Sequence, residues 1–116
     1  MGLEMFYHIV MMQLTDAAGA DFHLQLEAYS QRIREECSGV LQYDYCGNVA
    51  SRGKGYAHVI LSVFESSDAH DRYQVSPPHQ AMKAYVMPFI GDFVVFDSDV
   101  PNPAFIASVH RGGMSA

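Results

Sequence analysis

Apolar positions along the chain change their period repeatedly, and each change marks an element. From Phe6 to Leu14 both parities are apolar, with Phe6, Val10, Met12 and Leu14 on one and Tyr7, Ile9 and Met11 on the other. A strand of that kind is covered on both faces. After the small-residue loop Thr15 to Ala20, the segment Asp21 to Cys37 places Phe22, Leu26, Tyr29, Ile33 and Cys37 at spacings of four, three, four and four. That is the stripe of an amphipathic helix. Ser38-Gly39 ends it, since glycine enters the left-handed cap conformation freely.

Val40 to Val49 reads as a second strand and Tyr56 to Phe64 as a third, joined by the turn Ser51 to Gly55 into an antiparallel hairpin. Ser66-Ser67-Asp68 opens a second helix, with a capping serine and an acidic first turn. It stops at Ser76-Pro77-Pro78, where Ser76 caps a further helix whose first position tolerates proline. Met82, Tyr85, Val86 and Phe89 mark the buried side of that helix. Phe93 to Asp97 is the last strand.

Strand, helix, strand, strand, helix, strand is the ferredoxin-like βαββαβ order of an α+β domain, expected over residues 1–98. Residues 99–116 form a partly ordered tail, in which the apolar run Ala104 to Val109 offers an edge strand and Gly112 to Ala116 is loose. The ferredoxin-like sheet carries its helices on one face. Yet the third strand is apolar on both parities, so the bare face needs a cover. Two copies packed sheet to sheet supply one, and a homodimer is expected.

Composition sharpens this picture at a few points. The length of 116 residues suits one domain. Apolar residues make up 49 % and charged ones 17 %, against a usual charged share of about 25 %, which excludes disorder and leaves apolar surface for an interface. A formal charge of −6 without a basic cluster argues against nucleic-acid binding. No apolar run approaches the ~18 residues of a membrane span, and Met1 to Phe6 lacks the basic region of a secretory leader. Cys37 and Cys46 form no CxxC and no metal spacing, as suits reduced thiols of a cytoplasmic protein.

Three histidines fall where the pattern predicts burial. His8 lies in the first strand and His58 in the third, the central pair of this topology, so the two are expected to be neighbours. His79 shares a helix face with Met82, Val86 and Phe89, at a helix N-terminus that disfavours the imidazolium. Tyr73 precedes the same helix break with a phenol that needs a partner if buried. Each of these is equally at home as a hydrogen-bonded core residue, and His8 and His58 taken singly favour that reading. His23 and His70 have polar neighbours and read as solvated, and His110 has no assigned role. No P-loop, GxSxG, HExxH or EF-hand spacing occurs, and no spacing supports a metal site or a cofactor.

His8-Ile9-Val10, Gly55-Tyr56-Ala57-His58-Val59, Phe64-Glu65-Ser66, Tyr73-Gln74-Val75-Ser76-Pro77-Pro78-His79 and Phe93 to Asp97 together resemble the dimeric α/β-barrel, stress-responsive (Dabb) domain. The resemblance implies a ferredoxin-like subunit whose sheet pairs with its mate's to form a barrel. One member type, the plant polyketide cyclase making olivetolic acid, uses a Tyr and a His in the segment matched by Tyr73 and His79, with further histidines matching His8 and His58. The chain departs from the family at Ser76-Pro77-Pro78-His79, where many relatives read His-Pro-Ala-His.

These residues suit a cofactor-free cyclase or isomerase acting on a small carbonyl compound. His79 is the expected general base and Tyr73 its aid, with His8 and His58 binding substrate. The competing readings are a non-catalytic dimer that binds an apolar ligand and, ranked last, a metal- or haem-using monooxygenase.

Overall fold

In the computed structural model, which describes residues 4–112, the chain runs β1 (Met5–Leu14), α1 (Ala20–Glu36), β2 (Val40–Gly47), β3 (His58–Phe64), α2 (Ser67–Gln74), α3 (Pro77–Val86), a 3-10 turn (Met87–Phe89), β4 (Ile90–Val100) and α4 (Pro103–Gly112). The strands form one antiparallel sheet in the order β2-β3-β1-β4. This is the ferredoxin-like arrangement expected.

Register decides which side chains meet. His8 stands opposite Ser62 of β3 and Asp97 of β4, and Met12 stands opposite His58 and Phe93. Because side chains alternate across a strand, Phe6, His8, Val10, Met12 and Leu14 share one face with His58, Ile60, Ser62 and Phe64. Helices α1, α2 and α3 bury that face, through Phe22, Leu26, Ile33, Tyr73, Met82 and Val86. Tyr7, Ile9, Met11, Val59, Leu61, Val94 and Phe96 lie on the other face and take no part in the core cluster. Phe96 is 49 % exposed.

Local chemistry sets the helix ends. Ser66 Oγ accepts the Ala69 N–H, capping α2, and Ser76 Oγ accepts the His79 N–H, capping α3 with Pro77 in its first turn. Gly39 has φ +79, and a Cβ there would lie 2.7 Å from the Cβ of Ala69. That glycine therefore supplies both the turn after α1 and the close approach of α2.

Two expectations need correction. Ala104–Val109 is not an edge strand, since Pro103–Gly112 is helical. Asn102 Oδ1 accepts the Phe105 N–H at 3.0 Å and Pro103 follows it, the same cap-and-proline signal that starts α3. β4 is also longer than its apolar stretch, because it pairs with β1 from Ile90 to Val100 regardless of polar Asp97, Ser98 and Asp99. The loose end expected at Gly112–Ala116 lies, beyond residue 112, outside the described residues, as does the side chain of His110. Both cysteines are free, and no described helix is long and apolar enough to cross a membrane.

Candidate functional site

A cavity of about 180 Å³ lies between the helix-bearing face of the sheet and the α2–α3 segment. His8, Tyr73, His79 and Lys83 contribute its titratable groups, and Val10, Met12, Ile60, Met82, Val86 and Val95 contribute apolar wall. The break between α2 and α3 positions two of the four. Tyr73 sits in the last turn of α2 with its ring 4.4 Å from that of His79 in the first turn of α3. Ser76, between them, donates its hydroxyl to the Tyr73 carbonyl at 2.6 Å while capping α3.

His79 Nδ1 donates to the Gln74 carbonyl at 2.9 Å, which leaves Nε2 as the free lone pair. Burial pushes the His79 imidazole below its ordinary value; the Gln74 carbonyl opposes this, and the charges of His8 and Lys83 add to it. Such a histidine is neutral at physiological pH and can accept a proton. The Tyr73 phenol is buried and bonded to the Tyr43 hydroxyl at 2.8 Å, and the Tyr43 hydroxyl also reaches Met82 Sδ at 3.6 Å. Burial holds both phenols well above the usual tyrosine range, so both keep their protons. Tyr43 has one proton, so when it turns from Met82 Sδ to Tyr73, the Tyr73 proton is free to point elsewhere.

His8 is buried, and its Nδ1 donates to Asp97 Oδ1 at 2.5 Å across the β1–β4 ladder. Its ring lies 4.4 Å from that of His70. His70 is only 4 % exposed, stacked on Phe6 at 4.8 Å with Gln74 Nε2 3.1 Å from its own Nε2. Burial, and then the charge of His8, lowers the His70 pKa. The expectation that His70 is solvated is therefore corrected. Its polar neighbours Asp68, Asp71 and Arg72 hide that it stands three residues before Tyr73, on the same helix face. Asp97 was not foreseen either. Only the register of β4 against β1 reveals it as the partner of His8.

His58 does not join this group. Its place opposite Met12, four strand positions from Ser62, sets it about 13 Å along the sheet from His8. There it stacks on His23 at 4.9 Å, and His23 Nδ1 meets the Tyr45 hydroxyl at 2.8 Å. Burial pushes the Tyr45 phenol up to about 12, so the hydroxyl donates to His23. His23, expected to be solvated, is half-buried in this second cluster. A wider recess of about 280 Å³ at the start of α1 offers only Asp21 and Tyr85 as titratable groups.

The sequence from residue 6 to residue 100 matches the stress-responsive A/B barrel domain (Dabb) family. The chain belongs to that family. The match takes in all four strands except Met5 and leaves α4 outside. Among solved structures, the hydroxynitrile lyase from Passiflora edulis resembles this Dabb chain with a TM-score of 0.75 at 17 % identity, over 84 % of this chain and 94 % of that one. A dimeric ferredoxin-like protein of unknown function from Jannaschia sp. CCS1 gives 0.74 at 22 %, over 83 % and 99 %. A Dabb family protein with a ferredoxin-like fold from Mesorhizobium loti MAFF303099 gives 0.70 at 21 %, over 85 % and 98 %. Likeness at these identities bears on the fold. Among curated proteins nothing matches the chain.

Proposed function

We propose that this Dabb protein binds a small carbonyl compound in the His8–Tyr73–His79 cavity and moves a proton α to the carbonyl, as a cyclase or isomerase does. The observation that carries this reading is the bond of His79 Nδ1 to the Gln74 carbonyl, which assigns the tautomer. With Nδ1–H spent on the Gln74 carbonyl, Nε2 is the basic atom, and burial keeps it unprotonated. His79 Nε2 takes the α-proton and the C–H electron pair passes to the carbonyl oxygen as an enolate. Tyr73, protonated and backed by Tyr43, donates a hydrogen bond to that oxygen. Return of the proton to another carbon completes an isomerisation. Attack of the enolate carbon on a second carbonyl, whose oxygen then takes the proton, completes a cyclisation. His8, held by Asp97, orients the substrate. A volume near 180 Å³ lies below the roughly 300 Å³ where drug-sized sites begin, so the ligand is compact.

The working unit we infer is a homodimer. The apolar sheet face of Ile9, Met11, Leu61 and Phe96 supports this, and relatives of the same fold are described as dimeric.

Hydrogen–deuterium exchange at the α-carbon of short ketones, followed by NMR in D2O with chelator present, tests the chemistry. Wild-type protein is expected to exceed the buffer rate, and His79→Ala to lose about 10²–10⁴-fold while keeping its melting temperature. Exchange undiminished in His79→Ala overturns the assignment. Ketone binding without exchange in the wild type identifies a carrier and not a catalyst.

A further inference from the structure

We propose that His8, His70 and Asp97 form a binding site for one divalent transition-metal ion beside the cavity. One ligating atom from each residue lies within 4.8 Å of the others. The three come from β1, α2 and β4, elements fixed against one another by the sheet ladder and the aromatic core. Tetrahedral coordination at about 2.0–2.2 Å needs ligand atoms roughly 3–4 Å apart. Closing this cluster on an ion therefore takes side-chain shifts of about an ångström and no backbone change.

The chemistry of the set is selective. Two imidazoles and one carboxylate suit zinc and its first-row neighbours, whereas calcium and magnesium prefer all-oxygen sites. Three protein ligands also leave a coordination position for water or substrate. His8 belongs to both the cluster and the cavity wall, so that position would adjoin the bound ligand. Asp97 is 39 % exposed in its side chain, which gives the ion a way in.

The surroundings support a site more than a lone ion pair. The bond between His8 and Asp97 accounts for two of the residues. It does not account for the second buried imidazole, stacked on Phe6 with its ring 4.4 Å from that of His8. The Gln74 amide lies 3.1 Å from His70 Nε2, and with its oxygen turned to that atom it would accept the Nε2 proton and leave Nδ1 to the ion. Acceptors of this kind orient histidine ligands in metal sites. The sequence offers no spacing for the cluster, since residues 8, 70 and 97 meet only through the register and the inward face of α2.

The test is titration of chelator-treated, dialysed protein with Co²⁺, read by visible d–d absorption, and with Zn²⁺, read by calorimetry. One ion per chain is expected. His70→Phe, which fits the aromatic pocket, and Asp97→Asn are each expected to weaken binding by more than the roughly 100-fold that loss of an outer partner alone can cost. His23→Gln, in the other histidine cluster, is expected to change nothing. Absence of stoichiometric binding overturns the site. So does equal affinity in Asp97→Asn, a half-exposed position whose replacement leaves the core intact if His70→Phe does not fold, or loss of binding in His23→Gln. The exchange assay with His79→Ala is run in chelator, so either proposal can fail without the other.

Discussion

At the scale of single residues, burial acts on three histidines in one direction. His58, His70 and His79 all lie below the ordinary imidazole value, each chiefly because burial penalises the charged form. The unfolded chain therefore binds protons more readily than the folded one. Their contribution is fully present above about pH 6.5 and is lost as pH falls through the lowered folded values. We expect the melting temperature, measured in chelator, to drop between pH 7 and pH 5. His58→Gln, which removes one such group away from the cavity, should flatten that slope, and an unchanged slope would show that His58 titrates alike in both states. Legibility at this scale follows the range of the interaction. Tyr73 and His79 stand six residues apart across one helix break, and their proximity could be read from the chain. His8 and His58 were expected to meet because β1 and β3 are neighbours. Adjacency of strands, however, says nothing of register, and register pairs His8 with Ser62 and Asp97 instead.

At the scale of elements, the short α2–α3 junction does most to shape the site. Ser76 is bonded three ways: its hydroxyl donates to the Tyr73 carbonyl, and its oxygen accepts from the His79 N–H and from the Cys37 thiol. Ser66 caps α2 by the same chemistry, remote from the cavity. Replacing either by alanine should cost about 1 kcal/mol, a fall of about 4 °C in melting temperature. Only Ser76→Ala is expected also to slow exchange, because it alone loosens Tyr73 against His79. Equal exchange rates in the two variants would mean that the junction is held by packing. Ser76-Pro77 was legible as a helix start because cap and proline act within four residues. Asn102-Pro103 carries the same signal but sits before an apolar run, whose pattern fits a strand equally well. The extra length of β4 was hidden for a different reason. Ladder hydrogen bonds are made by the backbone, so Ser98 to Val100 pair with β1 whatever their side chains.

At the scale of the whole molecule, β4 has a different task on each side. Phe93 and Val95 line the cavity, while Val94 and Phe96 face away from the helices, 48 % and 49 % exposed. The need to cover that second face was legible in strands apolar on both parities, since period two assigns every other residue to it. The protruding α4, with Phe105 and Ile106 half-exposed, was not. If a second copy covers the open face, the exposed half of each Phe96 side chain gains about 0.8–1.5 kcal/mol from burial, and symmetry counts it twice. Phe96→Glu removes that gain and adds a charge that must be desolvated. It should therefore weaken dimerisation by at least about 10-fold, at 1.4 kcal/mol per factor of ten, with the buried charge adding to that. Sedimentation across a concentration series would show a dimer for the wild type and a monomer for the variant, and a dimer for both would place the interface elsewhere. Because the same strand forms cavity wall, the monomeric variant should also lose carbonyl-exchange activity, and raising its concentration until dimers return should restore that activity.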